Sequence, residues 1–170
     1  GDTIPVGIGQ GFWSTTPIQL SQSVNTLVNR GERIIPQIIR GFMHEDSSVE
    51  IIPLKTLRPI EIKNQHNVDI VLNAMHDVVH GKEGGARHTF ADASYQSAGK
   101  TGTAQLFSVG QDEKYDAEKI DERLRDNAMY VGFAPFENPE ISVTVVLENA
   151  GGGSKNAAPV AKKIMDFYFR

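Results

Sequence analysis

Cysteine is absent from the chain, and its absence excludes several kinds of structure. Without cysteine there is no disulfide framework, no thiolate nucleophile and no cysteine-based zinc site. The absence of cysteine does not indicate a reducing or an oxidising compartment, so both the cytosol and the periplasm remain compatible with the composition.

Long apolar runs and an excess of positive charge are also missing. No apolar run approaches the roughly 18 residues that a membrane span needs, and residues 1–5 lack the basic start and apolar core of a signal peptide. The chain as given is therefore expected neither to span a membrane nor to export itself. Seventeen Lys and Arg against 21 Asp and Glu give a formal net charge of −4, the wrong sign for holding a polyphosphate backbone. We expect no nucleic-acid partner.

The residues that are present have the composition of one ordinary globular unit. The 170 residues are 39% hydrophobic and 22% charged, and a folded chain near this length buries about two thirds of the surface that its unfolded form exposes. The chain opens abruptly, because Ile4-Pro5-Val6 runs straight into glycines. This opening is more typical of the middle of a fold than of a native beginning.

Two helices are predicted in the first half of the chain. Thr16, Pro17 and Gln19 combine an N-cap, a first-turn proline and a capping box, so a helix is expected to begin there. A second helix is predicted with Asn67 as its cap and an end before Gly81. The apolar faces of the two helices are formed by Leu20, Val24, Leu27 and Val28, and by Val68, Val71, Leu72, Met75 and Val79.

The second half predicts strands and a last helix. Residues 95–107 form one strand, and residues 128–134 and 141–147 form the two clearest ones, separated by a hairpin connection. A third helix is predicted to begin near Asn156, with Pro159 in its first turn, and to lie on the sheet. The apolar stripe that faces the sheet is predicted to consist of Val160, Ala161, Ile164 and Tyr168.

The remaining segments are predicted to be less regular. Residues 32–63 are extended and irregular, because prolines interrupt their β-rich runs. Residues 111–126 carry a net charge of −3, from seven acids and four bases, and form a solvated connection with a short helix at most. Together these elements predict an α+β fold in which helices flank an antiparallel sheet.

The sequence Lys100-Thr101-Gly102-Thr103 on the first predicted strand carries the clearest chemistry. Lys100 offers a cation to a substrate carboxylate, and the hydroxyls of Thr101 and Thr103 donate to the same group. Gly102 lets an extended peptide lie against the strand as an added strand. The N–H of Thr103 then serves as one of two oxyanion donors, a role worth roughly 3 kcal/mol in acyl transfer. The alternative is a surface lysine beside a glycine that marks a bulge.

Five segments, in order along the chain, extend this pattern into a family resemblance. They are residues 1–13, residues 16–19, the Ala-Gly-Lys-Thr-Gly-Thr-Ala-Gln of residues 98–105, the Glu-Arg-Leu-Arg-Asp of residues 122–126 and the Gly-Phe-Ala-Pro of residues 132–135. Lys-Thr-Gly is a motif of penicillin-binding proteins and serine β-lactamases. The combination resembles the penicillin-binding protein 2 family, the elongation-specific class B transpeptidases of Gram-negative bacteria.

The resemblance implies a fold like that of the serine β-lactamases and penicillin-binding transpeptidases, incomplete here, with residues 1–170 as the C-terminal portion of one domain. It implies a serine DD-transpeptidase that cross-links peptidoglycan, acts on D-Ala-D-Ala stem peptides and is inhibited by β-lactams. It further implies a membrane anchor upstream, a catalytic domain at the periplasmic face of the inner membrane, and a SEDS-family glycan polymerase and a rod-shape scaffold as partners.

The nucleophile that this family requires is not predicted in the chain. In the family a Ser-x-x-Lys and a Ser-x-Asn precede the Lys-Thr-Gly. Ser97-Ala98-Gly99-Lys100 spells the first motif, but positions i and i+3 of a strand point to opposite faces. Ser23-Val24-Asn25 lies within a helix, where residues two apart do not share a face, and Ser154-Lys155-Asn156 comes too late in the order. We therefore expect the chain alone to be inactive.

Two other functions stay open. The first is a non-catalytic module of the same fold that recognises a peptide or a β-lactam. The second is a zinc hydrolase, because His76 and His80 share a helical face and Asp77 between them could act as base. Aspartate is shorter than the glutamate of that chemistry, and two polar residues near a helix end explain the histidines as well. No metal or other cofactor is expected.

Overall fold

The first of the predicted helices, α1 (Pro17–Val28), begins where its capping signals predict. The computed structural model describes residues 6, 7, 9, 14–106 and 121–170. The Gln19 N–H donates to the Thr16 hydroxyl at 3.3 Å, and the Thr16 N–H donates to the Gln19 side chain at 2.9 Å. This reciprocal pair satisfies two of the N–H groups that a helix start leaves without partners.

The second helix, α2 (Gln65–His80), begins three residues earlier than predicted. Its cap is Asn64, whose side chain accepts the His66 N–H at 3.0 Å, and the prediction of Asn67 as cap is wrong. Both asparagines are able to cap, so the local sequence does not distinguish them. The helix ends before Gly81, as predicted, and it buries Val68, Leu72, Met75 and Val79.

The segment between these helices is extended, as predicted, and forms two short antiparallel pairs. β1 (Arg33–Ile34) pairs with β4 (Thr56–Leu57), and β2 (Gly41–Met43) pairs with β3 (Val49–Ile51). Most of its side chains remain exposed. This segment therefore adds little to the core.

The central sheet consists of three antiparallel strands in the order β5-β6-β7. They are β5 (Ala98–Ala104), β6 (Asn127–Ala134) and β7 (Ile141–Leu147). The β6 and β7 strands match the prediction closely. The β5 strand begins three residues later than predicted, and Phe107 at its predicted end lies outside the described residues. Of the predicted charged connection, the described part contains a short 3₁₀ helix (Glu122–Leu124), and residues 111–120 lie outside the described range.

The last helix, α3 (Gly153–Tyr168), corrects two predictions. It begins at Gly153 instead of Asn156, so Pro159 lies inside the helix and not in its first turn. Its buried face is also different, because Val160, Ile164 and Tyr168 are exposed. Small side chains allow the helix to approach the sheet closely, and the residues that it buries are Gly153, Ala157, Ala158, Ala161 and Met165.

The sheet divides the core into two clusters, one on each face. On one face, α3 packs against Tyr130 and Val145, together with Phe90 from the segment before β5. On the other face, α1 and α2 pack around Val131 and Phe133. Helices flanking an antiparallel sheet confirm the predicted α+β class. None of the helices in the described part of the chain combines the length and the hydrophobicity that a membrane span requires.

Candidate functional site at the edge of the sheet

The predicted site residues all lie in β5, at the edge of the sheet. β5 pairs with β6 on one side, and within the described part of the chain no strand pairs with its other side, the outer edge. Lys100 and Thr103 are exposed, and Thr101 and Gly102 are half-buried. The sequence therefore predicted correctly that these four residues share one strand.

The backbone groups of alternate residues of β5 point towards the outer edge. Gly102 lies opposite Met129 of β6. A β-carbon placed on Gly153 would lie within 3.0 Å of the Gly102 N, the Gly102 O and the Met129 O. Since these three backbone atoms lie so close to one point, Gly102 and Met129 form a hydrogen-bonded pair, in which the N–H and C=O of Gly102 point towards β6. Because hydrogen-bonded and outward-facing residues alternate along a strand, the backbone N–H and C=O of Thr101 and Thr103 point away from β6. The outer edge is thus shaped to receive an added strand.

The side chains of the motif flank this edge from both faces of the sheet. Lys100 and Gly102 lie on the α1 and α2 face, and Thr101 and Thr103 lie on the α3 face, because successive residues of a strand alternate. The Lys100 Nζ donates to the Thr101 carbonyl at 2.7 Å, which places the ammonium beside the outward-facing backbone. A carboxylate at the edge can be approached from both faces.

The N-terminus of α3 lies directly behind the motif, which the sequence did not predict. The Gly153 N–H donates to the Thr103 Oγ1 at 3.4 Å. A β-carbon on Gly153 would overlap the carbonyl oxygens of Gly102 and Met129, so only glycine permits this approach. The only local signal for this close approach is the run Gly151-Gly152-Gly153 at the start of the helix.

The electrostatics of this edge favour an anion. The positive end of the α3 macrodipole faces Thr103, and the first turn of α3 contains no acidic residue. No ion pair of Lys100 is found among the described residues. The exposed ammonium of Lys100 adds a positive charge to the same edge.

The three serine motifs do not form a nucleophilic site in the described structure. The side chain of Ser97 is completely buried, and its Oγ has no hydrogen-bond partner among the described residues. The Ser23 hydroxyl donates to the Leu20 carbonyl at 2.7 Å, within α1. Ser154 lies in the first turn of α3 and follows the Lys-Thr-Gly motif in the chain.

His76 and His80 lie side by side near the start of β5. Their ring centroids are 4.7 Å apart. The His76 Nε2 is 2.9 Å from the Gln96 Oε1, and the His80 Nε2 accepts the Ser97 N–H at 3.1 Å. Each histidine thus uses its Nε2 in a protein hydrogen bond. Within the described residues no group of three or more His, Asp or Glu side chains is placed to hold a metal ion, and the zinc alternative gains no support.

Most of the chain matches a known protein family. The family model described as the penicillin-binding protein transpeptidase domain matches residues 1–166. The chain belongs to this transpeptidase family. The resemblance found in the sequence is thereby confirmed, and so is the fold class that it implied.

Individual relatives agree with the family assignment. The chain is 43% identical over 169 residues to the peptidoglycan D,D-transpeptidase MrdA of Haemophilus influenzae, covering 99% of this chain and 26% of that protein. It is similar in structure to penicillin-binding protein 2 of Pseudomonas aeruginosa in complex with WCK 5153, with a TM-score of 0.77, 38% identity, and coverage of 99% of this chain and 33% of that one. It is also similar to the Helicobacter pylori penicillin-binding protein 2 in a complex with MreC, with a TM-score of 0.74, 26% identity, and coverage of 99% and 27%. The chain therefore spans about a quarter of the length of the curated relatives that it matches.

Proposed function

We propose that the chain is the substrate-recognition part of a serine DD-transpeptidase that cross-links peptidoglycan, and that it forms the C-terminal portion of the transpeptidase domain. The observation that carries this proposal is the outer edge of β5, which presents residues 100–103 beside the N-terminus of α3. The family membership of residues 1–166 supports it.

The substrate is a stem peptide that ends in D-Ala-D-Ala and adds to β5 as an extended strand. The Lys100 ammonium and the hydroxyls of Thr101 and Thr103 bind its terminal carboxylate. The outward-facing N–H of Thr103 donates to the carbonyl oxygen of the penultimate residue and stabilises the negative charge that develops there. A β-lactam presents a carboxylate and a carbonyl to the same groups.

The chemical step requires a serine from the part of the domain that precedes this segment. Its Oγ attacks the penultimate D-Ala carbonyl, the peptide bond breaks, and the terminal D-Ala leaves as a free amine. The amine of a neighbouring stem peptide then attacks the acyl-enzyme, which releases the serine and forms the cross-link. The residues of this chain hold the substrate and its developing charge throughout.

The family membership supports a proposal for the place of action and the partners. We place the domain at the periplasmic face of the inner membrane, with an anchor upstream of this segment. The complex of the Helicobacter pylori relative with MreC supports a rod-shape scaffold as a partner. A SEDS-family glycan polymerase is the second partner that we propose, because transpeptidation needs newly made glycan strands.

The experiment uses the full-length transpeptidase that carries this segment. A fluorescent penicillin and a stem pentapeptide are offered separately, with intact-mass analysis for the acyl adduct and an enzymatic assay for released D-alanine. We expect a covalent penicilloyl adduct of one per protein and D-alanine release that penicillin blocks. Reversible binding without adduct or D-alanine would instead establish a non-catalytic recognition module, and the transpeptidase proposal would fail.

A further inference from the structure

The three residues that precede β5 are each held by a different contact. The Tyr95 hydroxyl donates to Asp166 of α3 at 2.9 Å, and burial raises the pKa of Tyr95, so this hydroxyl stays protonated. The Gln96 carbonyl accepts the Phe136 N–H at 2.9 Å, just beyond the end of β6. Residues 95–97 are therefore fixed to α3 and to the sheet. We call them the lead-in segment.

The two histidines of α2 provide the third set of contacts to the lead-in segment. His76 pairs with the Gln96 side chain, and His80 accepts the N–H of Ser97. Ser97 is completely buried, so its N–H would lack a partner if the His80 acceptor were removed. Since a buried N–H without a partner is costly, this bond holds the backbone of the lead-in segment in one place.

The His80 bond lies close to Lys100 along the chain. Ser97 is three residues from Lys100, about 10 Å in extended chain. The chain between them contains Ala98 and Gly99, which are both buried, so a shift at Ser97 is transmitted along the strand. The outer edge carries no neighbouring strand in the described structure to correct such a shift.

His80 accepts the bond only while its ring is neutral. The Nε2 must carry the lone pair, so the ring proton is on Nδ1. Burial and the neighbouring His76 both lower the pKa of His80, which favours this neutral form. The ring of His76 also contacts Phe136, with centroids 4.7 Å apart, so both histidine rings are held in place.

We infer that His80 is a positioning residue for acyl transfer: its Nε2 fixes the Ser97 N–H and thereby sets where Lys100 lies along the outer edge of β5. This inference rests on the proposed function of residues 100–103. It assigns the histidine pair of α2 to the substrate strand and not to a metal ion. His80 itself touches neither substrate nor reacting atoms.

The test compares two substitutions in the full-length transpeptidase. In His80→Gln the side-chain carbonyl can still accept a hydrogen bond, whereas in His80→Leu it cannot. We expect His80→Leu to slow acylation by fluorescent penicillin about 10- to 100-fold, as displacements near 1 Å do. His80→Gln is expected to remain within about threefold of the parent. The control is His66→Leu, the same substitution at an exposed position of α2, with parental acylation expected.

A second measurement follows the strand directly. Hydrogen–deuterium exchange of a peptide spanning residues 95–104 is expected to accelerate in His80→Leu and to stay parental in His80→Gln. Parental acylation and exchange in His80→Leu would overturn the inference, and so would equal slowing in both variants, because hydrogen-bond acceptance would then not matter. If His80→Leu does not fold, His80→Gln decides: parental acylation and exchange support the bond, and slowed acylation overturns it.

A different experimental result would refute the proposed function. A Lys100→Ala variant that acylates at the parental rate would refute the role of residues 100–103, whatever the His80 variants show. Loss of acylation in Lys100→Ala together with a parental His80→Leu would refute only the inference about His80.

Discussion

Replacing Lys100 by alanine in the full-length transpeptidase is expected to slow acylation by penicillin without destabilising the fold. Lys100 is exposed, and its one hydrogen bond within the described residues goes to the carbonyl of the next residue. Such a contact contributes little to the unfolding free energy, so we expect a change within about 0.5 kcal/mol. The substitution should instead weaken the binding of the substrate carboxylate, which then lacks its cation.

The magnitude follows from Coulomb's law. Two unit charges 4 Å apart attract by about 1 kcal/mol in bulk water and by about 4 kcal/mol at the effective dielectric constant of a protein surface. A peptide lying along β5 covers one side of the Lys100 ammonium and leaves the other side in water. We therefore expect the attraction between this ammonium and the substrate carboxylate to be about 2–3 kcal/mol. The acylation rate constant should fall by about 30- to 150-fold.

The assay is the second-order rate of labelling by a fluorescent penicillin, measured at low and high salt. The parental rate should fall as salt screens the Lys100 ammonium, and the rate of Lys100→Ala should depend less on salt. Lys163→Ala is the matched control, because it removes the same charge from an exposed position of α3. Labelling of Lys100→Ala at the parental rate, or an equal loss in Lys163→Ala, would refute the carboxylate-binding role.

Three further outcomes are expected on stability. Gly153→Ala should lower the unfolding free energy by about 1–3 kcal/mol in urea, because the added carbon overlaps β5 and β6, whereas Gly152→Ala, which meets nothing within 4 Å, should not. Met165→Ala, which opens a cavity at a completely buried side chain, should cost about 2–5 kcal/mol by the same assay. Burial and His76 lower the pKa of His80 from its ordinary 6.5. The neutral ring therefore contributes its full stability above pH 6.5, and this contribution is lost as the pH falls through the lower pKa of the folded state. His80→Gln should remove this loss, and an unchanged pH dependence in that variant would contradict it.

The sequence predicted elements whose signals are local. The start of α1 depends on Thr16 and Gln19, three residues apart, and on bonds between these two residues. The β7 strand has apolar residues at positions 141, 143, 145 and 147, β6 is an almost continuous apolar run, and a short connection joins the two strands. In both cases the decisive contacts lie within the window that sequence patterns describe.

The sequence failed where the decisive contacts are distant. The helix α3 presents alanines to the sheet, since it approaches the β5–β6 ladder closely at Gly153. Hydrophobicity alone favoured the larger Val160 and Ile164, which the structure leaves exposed. The distance between helix and sheet is a tertiary property, so no periodicity within α3 could have revealed which stripe is buried.

The site shows the same division. The sequence could place residues 100–103 together on one strand, because they occupy adjacent positions, and their role in binding a substrate stays a prediction. The contacts of His76 and His80 were not, because their partners lie 20 and 17 residues away. The spacing of the two histidines suggested a shared face and therefore zinc, and the structure uses that shared face for two hydrogen bonds to the lead-in segment.

A strand that receives a peptide cannot be held from the side on which the peptide adds. β5 must therefore be fixed from its remaining sides: by β6 along its inner edge, by Gly153 of α3 behind Gly102, and by the lead-in segment at its start. Each of these contacts lies away from the outer edge, so none competes with substrate. Substitutions that loosen them should consequently change the rate of acylation while leaving Lys100 and the hydroxyls of the motif intact.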